Sequence, residues 1–294
     1  MEGDGKRGAT SGCCLTIAGS DSGGNAGVQA DLRAFHAYGL HGCTVFAALT
    51  AQNPFGVSAI HPVPADFVAV QLDAVLGVYD IRALKTGMLA DPAAIEAVAD
   101  RLAGHPEIAK VIDPVMVATS GARLVPPETV AAIEARLASL ATLLTPNIPE
   151  AEYLAGAPGA PRELAKRIFE AHGCAVLVKG GHGAGEAATD VLYDGREFAE
   201  FSMPWIKDPV STHGTGCSLA AALAAELALG RPLADAVRGA KAYVHDAIAA
   251  SHLVGVPGCG VLGFAPRQCA GAGRRPPSSS EGCTPGGLPR QQSL

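Results

Sequence analysis

His213-Gly214-Thr215-Gly216-Cys217 sets two glycines around a hydroxyl residue and ends on a thiol, and the chain runs straight on as Ser218-Leu219-Ala220-Ala221-Ala222-Leu223. The Ala/Leu run has high helix propensity. Backbone N–H groups of the loop should therefore converge at a helix N-terminus, where a phosphate or another anion is stabilised. Gly230 and Pro232 close the run in the order expected of a helix end. The pattern is neither a P-loop nor the dinucleotide fingerprint, both of which need other glycine spacings. A tight turn followed by a small buried Cys217 is the competing reading of the same residues.

Other polar strings each follow a short apolar run. Gly19-Ser20-Asp21-Ser22-Gly23-Gly24-Asn25-Ala26-Gly27 comes first, then Thr50-Ala51-Gln52-Asn53, Thr86-Gly87-Met88-Leu89 and Asp113-Pro114-Val115-Met116. Thr145-Pro146-Asn147-Ile148-Pro149-Glu150 and Lys179-Gly180-Gly181-His182 complete the series. In open parallel sheets ligands bind beyond the carboxyl ends of the strands, so these strings are candidates for one shared crevice.

The apolar runs that would carry them are 14–18, 43–49, 81–85, 111–115, 142–145 and 175–179, brief enough for strands covered on both faces. Helical stretches alternate with them at 28–38, 65–78, 92–103, 128–140, 148–155 and 161–172, several stopped by glycine. This order predicts an α/β fold, a doubly wound and mostly parallel sheet flanked by helices. Residues 191–193 and 197–201, joined through Asp194-Gly195-Arg196, read as an antiparallel hairpin near one edge. Residues 1–12 read as a flexible start and 13–262 as one domain. Residues 263–294, rich in Gly, Pro, Ser, Arg and Gln, read as a disordered tail.

A chain of 294 residues, 48% of them hydrophobic, can bury one large core. The net charge of −6 and the absence of a long Lys/Arg cluster argue against a nucleic-acid partner. The polar start and the lack of an apolar run of spanning length predict no membrane segment and a cytoplasmic protein. Eight cysteines are scattered without a C-x-x-C pair, which favours reduced thiols. Nine histidines show no H-E-x-x-H or comparable spacing for zinc.

Taken jointly and in order, the polar strings closely resemble the hydroxymethylpyrimidine/phosphomethylpyrimidine kinases of thiamine biosynthesis, a branch of the ribokinase superfamily, over residues 14–255. The resemblance implies a ribokinase-like fold, a homodimer, and ATP with Mg²⁺ as cofactors. It implies phosphorylation of 4-amino-5-hydroxymethyl-2-methylpyrimidine and then of its monophosphate. Gly214, Thr215, Gly216 and Cys217 would form the catalytic anion hole for a transfer that depends on positioning and charge stabilisation. Wider ribokinase relatives carry an aspartate base where this chain has Cys217. A thiol at a helix N-terminus has a lowered pKa, so Cys217 would accept the hydroxyl proton or donate to an oxyanion, and both roles stay open.

By the same resemblance Asn147 and Glu150 would organise Mg²⁺ and phosphate oxygens, Asp113 would add negative charge near the metal, and Lys179 would meet nucleotide phosphates. Gln52 would both donate to and accept from the pyrimidine edge, with Met88 packed on the ring. Asp31 would bond the substrate hydroxymethyl or amino group, and the small Gly19 and Ala26 would let the ligand approach the backbone. Each has a plain alternative: Asn147/Glu150 a helix start, Asp113 a turn cap, Lys179 a solvated strand end, Gln52 a surface loop residue, Met88 core filler, Asp31 a helix-start carboxylate. Two departures stand out. Asn25 occupies a position where relatives commonly have glycine. The chain also ends in Gly258-Cys259-Gly260-Val261-Leu262-Gly263-Phe264 where relatives carry a glycine/histidine stretch.

The runner-up within enzymes is a pyridoxal-type vitamin kinase, against which Gln52 and Met88 speak. A carbohydrate kinase is disfavoured by the cysteine in the G-T-G-C loop. A non-catalytic ligand-sensing relative is disfavoured by the intact polar strings.

Overall fold

The computed structural model describes residues 12–116, 126–181 and 187–265. Nine strands form one sheet in the order β3-β2-β1-β4-β5-β6-β7-β8-β9. They are β1 Cys13–Asp21, β2 His41–Asn53, β3 Gly56–Pro62, β4 Ile81–Thr86, β5 Ala109–Ile112, β6 Leu143–Leu144, β7 Ala175–Val178, β8 Ala187–Tyr193 and β9 Phe198–Pro204. Strands β2, β1, β4, β5, β6 and β7 run parallel, while β3, β8 and β9 are joined antiparallel at the two edges. The helices are α1 Gly27–Ala37, α2 Ala65–Leu76, α3 Pro92–Ala103, α4 Pro127–Ala132, α5 Ile148–Leu154, α6 Pro161–His172, α7 Thr215–Ala228 and α8 Leu233–Ala249.

Successive strand residues point to opposite faces, and the core divides accordingly. Leu15, Leu84, Ile112, Leu144 and Val176 pack with α2, α3, α5 and α6 on one face. Their neighbours Cys14, Ala83, Val111, Leu143 and Leu177 pack with α1, α7 and α8 on the other. Both faces being apolar explains why these strands read as short unbroken runs. Helix ends follow local chemistry: Asp91 accepts from the Ala93 N–H at 3.0 Å before Pro92 opens α3. At the other kind of end, Gly173 closes α6 with φ +73°.

The doubly wound sheet and the hairpin are as expected, with differences at the ends. β1 and β2 extend to Asp21 and Asn53, and β5 ends at Ile112, so Asp113 lies just beyond its strand. The helix expected at 128–140 is α4 continued by a π-helical turn, Ile133–Leu137, and a 3-10 turn, Ala138–Leu140. α7 starts at Thr215, inside the glycine motif rather than after it. β3 and α8 lie outside the expectation. β3 is an exposed edge strand without a clean alternation. α8 carries Ala236, Val237, Ala240, Tyr243, Val244 and Ala247 at helical spacing.

The expected flexible start falls almost wholly on residues outside the described ones, as does the tail beyond Ala265. Gly263 and Phe264, by contrast, belong with the ordered unit. The Gly263 N–H donates to the Ala247 carbonyl at 3.0 Å, and the Phe264 ring stacks on Tyr243 with centroids 5.8 Å apart. Composition does not mark these contacts, because a single aromatic anchor has no periodicity to show. A short ribbon, β10 His252–Leu253 with β11 Gly260–Val261, precedes it, and Leu262 is buried, so the departing C-terminal stretch still packs.

Phe264→Ala should remove that stacking and lower stability by about 1–3 kcal/mol, a fall of several degrees in the thermal midpoint. A midpoint within error of the parent would place the ring outside the core.

Candidate active site

A cavity of about 930 Å³ opens over the carboxyl ends of the parallel strands, centred where the strand order reverses between β1 and β4. Gly19 and Asp21 at the end of β1, Gln52 in β2, Met88 after β4, Asp113 after β5, Glu150 after β6 and Lys179 after β7 all line it, as does the start of α7. The polar strings picked out in the sequence therefore do gather in one crevice.

Gly214 is the N-cap of α7 with φ +86°, and a Cβ there would overlap the carbonyl oxygen of Asn25. Glycine is thus required twice over, by the left-handed backbone and by contact with the first glycine loop. The helical ladder begins at Ser218, whose N–H donates to the Gly214 carbonyl at 2.9 Å, so the amides of Gly216 and Cys217, residues that line the cavity, precede it. Cys217 corrects an expectation. Burial pushes its thiol above the ordinary value; Lys85 and the Gly27 amide pull the other way but do not win, and Asp31 and Asp113 oppose them. The neutral thiol is the resting form.

Asp31 sits behind the residues that line the cavity. It is fully buried, is not among the residues lining the cavity, and pairs with Lys85 at 3.0 Å while accepting from Thr16 Oγ1 at 2.6 Å. Thr16 and Lys85 are cross-strand partners of β1 and β4, on the face that α1 and α7 cover. Asp31 is the counter-ion of Lys85, and Lys85, which does line the cavity, is not singled out by the sequence. Its charge is hidden inside the apolar run 81–85, where a lysine reads as a strand end.

Across the cavity, Lys179 Nζ lies 2.8 Å from Asp113 Oδ1, which also accepts from Thr145 Oγ1 at 3.0 Å. Lys179 bridges to Asn147 through the backbone and sits under Gly216. Asn147 and Glu150 form a capping box at the start of α5: Asn147 Oδ1 accepts from the Glu150 N–H at 2.9 Å, and Glu150 Oε2 accepts from the Asn147 N–H at 2.8 Å. The helix-start reading of N-x-x-E is therefore realised. The two residues nevertheless line the cavity too. Burial raises the Glu150 carboxyl pKa, Lys179 lowers it and Asp113 raises it again, so two buried carboxylates share one ammonium.

Gln52 lies in β2 rather than on a loop, half-buried, 3.4 Å from His213 Nε2 and 3.2 Å from Thr50 Oγ1. Met88 is buried against Gly19, where a Cβ would come 2.6 Å from its methyl carbon. Gly19 thus makes room for Met88, which forms the cavity wall there. Ala26 is the N-cap of α1, and its N–H donates to Asp21 Oδ2 at 2.8 Å. Asp21 also accepts from the Gly23 and Asn25 amides. Burial alone would raise the Asp21 pKa, but His213 and these amides hold it below the ordinary value. Asn25 is buried without a positive φ, a role that Gly24 at +76° and Gly27 at +57° fill, so asparagine fits there without strain. Lys241 and Asp190, paired at 2.7 Å, line the cavity as well and were not singled out in the sequence.

Gly214→Ala should lower stability by about 2 kcal/mol or more, since both strain and overlap must be relieved, and should abolish most turnover. An unchanged thermal midpoint would show that the loop accommodates a side chain.

The phosphomethylpyrimidine kinase family model matches residues 21–261. Among curated relatives, a hydroxymethylpyrimidine/phosphomethylpyrimidine kinase from Rhizobium meliloti is 47% identical over 81% of this chain and 90% of its own length. The corresponding kinase of Escherichia coli is 45% identical over 80% of this chain and 90% of its own. Among solved structures, a Bacillus subtilis pyridoxal kinase in complex with ADP aligns with TM-score 0.80 and 34% identity, over 87% of this chain and 98% of its own. A phosphomethylpyrimidine kinase from Clostridium difficile aligns with TM-score 0.72 and 36% identity, over 81% and 99%. With this extent of match in sequence and ribokinase-like fold, the chain belongs to the phosphomethylpyrimidine kinase family and is a phosphotransferase of thiamine biosynthesis.

Proposed function

We propose that the chain transfers the γ-phosphoryl group of ATP to the hydroxymethyl oxygen of 4-amino-5-hydroxymethyl-2-methylpyrimidine, and then phosphorylates the monophosphate to the diphosphate. One observation carries the reading: an amide-lined helix start, a lysine and a polar carboxamide beside a methionine wall share one cavity. The substrate hydroxyl attacks the γ-phosphorus as the bond to ADP breaks, through a loose transition state that needs little covalent help. The Gly216 and Cys217 amides stabilise charge on the moving group, and Lys179 adds a point charge beside it. The Cys217 thiol, neutral at rest, donates to an oxygen of that group instead of removing the hydroxyl proton. Such a transition state lets the proton leave late, to a phosphoryl oxygen or solvent.

Mg²⁺ belongs to this proposal. Asp113 and Glu150 share the single charge of Lys179, an excess of negative charge that suits a hard cation with oxygen ligands. Among the described residues no three His, Cys, Asp or Glu side chains converge as a metal cage, which fits an ion held largely by phosphate and water. Glu150 and Asn147 would hold it, with Asp113 nearby; when bound it neutralises charge on the phosphate oxygens. A homodimer is proposed too. Leu49 in β2, Phe55 beyond it, and Phe67 and Val70 on α2 are large apolar side chains left exposed. No helix among the described residues is long and apolar enough to cross a membrane, and the cytoplasm is the proposed location.

Turnover of ATP with the pyrimidine alcohol, its monophosphate and pyridoxal side by side, with products identified by mass, tests the substrate. Both pyrimidines should gain a phosphoryl group. A preference for pyridoxal of more than about tenfold in kcat/KM, or about 1.4 kcal/mol, would make the vitamin-kinase reading correct. The structural likeness to pyridoxal kinases gives that comparison its point.

Cys217→Ala should lower kcat on the order of 10²-fold, and Cys217→Ser, which keeps a donor, should lower it less. Because the thiol pKa is raised, kcat should not climb with pH across the neutral range on account of Cys217. A thiolate base would make kcat rise as pH approaches the thiol pKa, with the rise lost in Cys217→Ser.

A further inference from the structure

Gln52 has two chemically different amide ends that occupy the same shape, and which end faces which neighbour decides what a ligand meets. The structure has Gln52 Nε2 toward His213 Nε2 at 3.4 Å and Oε1 toward Thr50 Oγ1 at 3.2 Å. The surrounding groups require the reverse. Thr50 has one hydroxyl hydrogen, already donated to the Ser20 carbonyl at 2.7 Å, so toward Gln52 it can serve as an acceptor. His213 Nε2 lies 3.7 Å from Asp21 Oδ2, an oxygen that also accepts from the Asn25 and Ala26 amides. At 3.7 Å the carboxylate is too far for a hydrogen bond but favours the tautomer with the hydrogen on Nε2, and that one hydrogen goes to the nearer Gln52 at 3.4 Å. With O and N exchanged, the Gln52 oxygen receives the His213 N–H and the Gln52 nitrogen donates to Thr50. The backbone around Gln52 is fixed as well: its N–H donates to Ser22 Oγ and Ser22 Oγ donates to its carbonyl, both at 2.8 Å.

We propose that His213, backed by Asp21, is a positioning residue that fixes the hydrogen-bond polarity of Gln52 and thereby selects a ring bearing an amino group next to a ring nitrogen. The fixed amide leaves one oxygen lone pair and one N–H for the cavity, an acceptor beside a donor. An exocyclic amine donates to the first while the adjacent ring nitrogen accepts from the second. A ring lacking the amine leaves the acceptor unmatched, and a site built around a hydrogen bond rejects such an analogue strongly. This inference rests on the reading that Gln52 meets the pyrimidine. It adds that the discrimination belongs to His213 as much as to Gln52.

The test compares kcat/KM for 4-amino-5-hydroxymethyl-2-methylpyrimidine with that for the same ring lacking the 4-amino group, in the full-length parent, His213→Ala, His213→Gln and Gln52→Ala proteins. The parent should prefer the amine by at least about tenfold. In His213→Ala the preference should fall to about threefold or less, as a coupled pair requires. His213→Gln, which keeps an N–H donor, should restore most of it. A His213→Ala protein that keeps the full preference would overturn the inference, and so would a His213→Gln protein no better than His213→Ala. If Gln52→Ala itself keeps the preference, the assignment of Gln52 to the pyrimidine fails and this inference fails with it. If Gln52→Ala loses the preference while His213→Ala keeps it, the positioning role alone fails.

Discussion

A lysine and an aspartate without any solvent exposure lie between α1 and the sheet, on the side that α7 also covers, and the rest of the site is arranged around them. Taking Lys85 and Asp31 out of water costs several kcal/mol per ion, which their attraction offsets when the geometry is good and further hydrogen bonds are made. Both conditions hold here: Lys85 Nζ reaches both oxygens of Asp31 at 3.0 and 3.1 Å, and Thr16 donates the third bond. Burial works against the lysine's charge, but Asp31, followed by Cys217 and Asp113, holds its pKa above the ordinary value. Helix α1 is thereby pinned to β1 and β4 at the reversal in strand order. Gly87 is small for the same reason, since a Cβ there would come 2.8 Å from Lys85 Nζ.

From this floor the loops interlock. The first glycine loop is folded around Asp21, and its Asn25 carbonyl is the surface against which Gly214 sits. Gly214 in turn sets the start of α7 and so the direction of the amides of its first turn. The two loops are far apart in sequence and meet where neither can be altered alone. Specificity, in contrast, is assigned by the proposal to few side chains. The fold is shared with pyridoxal kinases at a TM-score of 0.80, so the backbone does not choose between pyridine and pyrimidine. On the reading proposed above, that choice falls to Gln52, His213 and Met88.

Much of this was legible in the sequence, for physical reasons. Parallel strands buried on both faces appear as short apolar runs, and the residues after them are polar because they face the cavity; Gln52, Met88, Asp113, Asn147, Glu150 and Lys179 were found that way. What periodicity could not show was partnership. Asp31 reads as a helix-start carboxylate and Lys85 as a strand-end lysine, and nothing local announces that residues 54 apart in the chain form one ion pair. Between the two roles open to Cys217 the sequence could not choose, for a related reason. Its helix N-terminus was visible and favours a thiolate, but the burial that outweighs it is a tertiary property. Near the end, Gly263 and Phe264 pack without any periodicity to mark them, because one ring carries the contact.

The claim that the site stands on the buried pair is tested most directly by a double-mutant cycle in stability on Lys85 and Asp31. Denaturant unfolding would be measured for Lys85→Met, Asp31→Leu and the double variant, with the apolar side chains filling similar volume. Each single variant leaves an uncompensated buried charge and should lose about 3–5 kcal/mol, whereas the double variant should lose much less than the sum, or nothing. Small, additive losses in the single variants would contradict the account, since they would show that neither charge depends on the other.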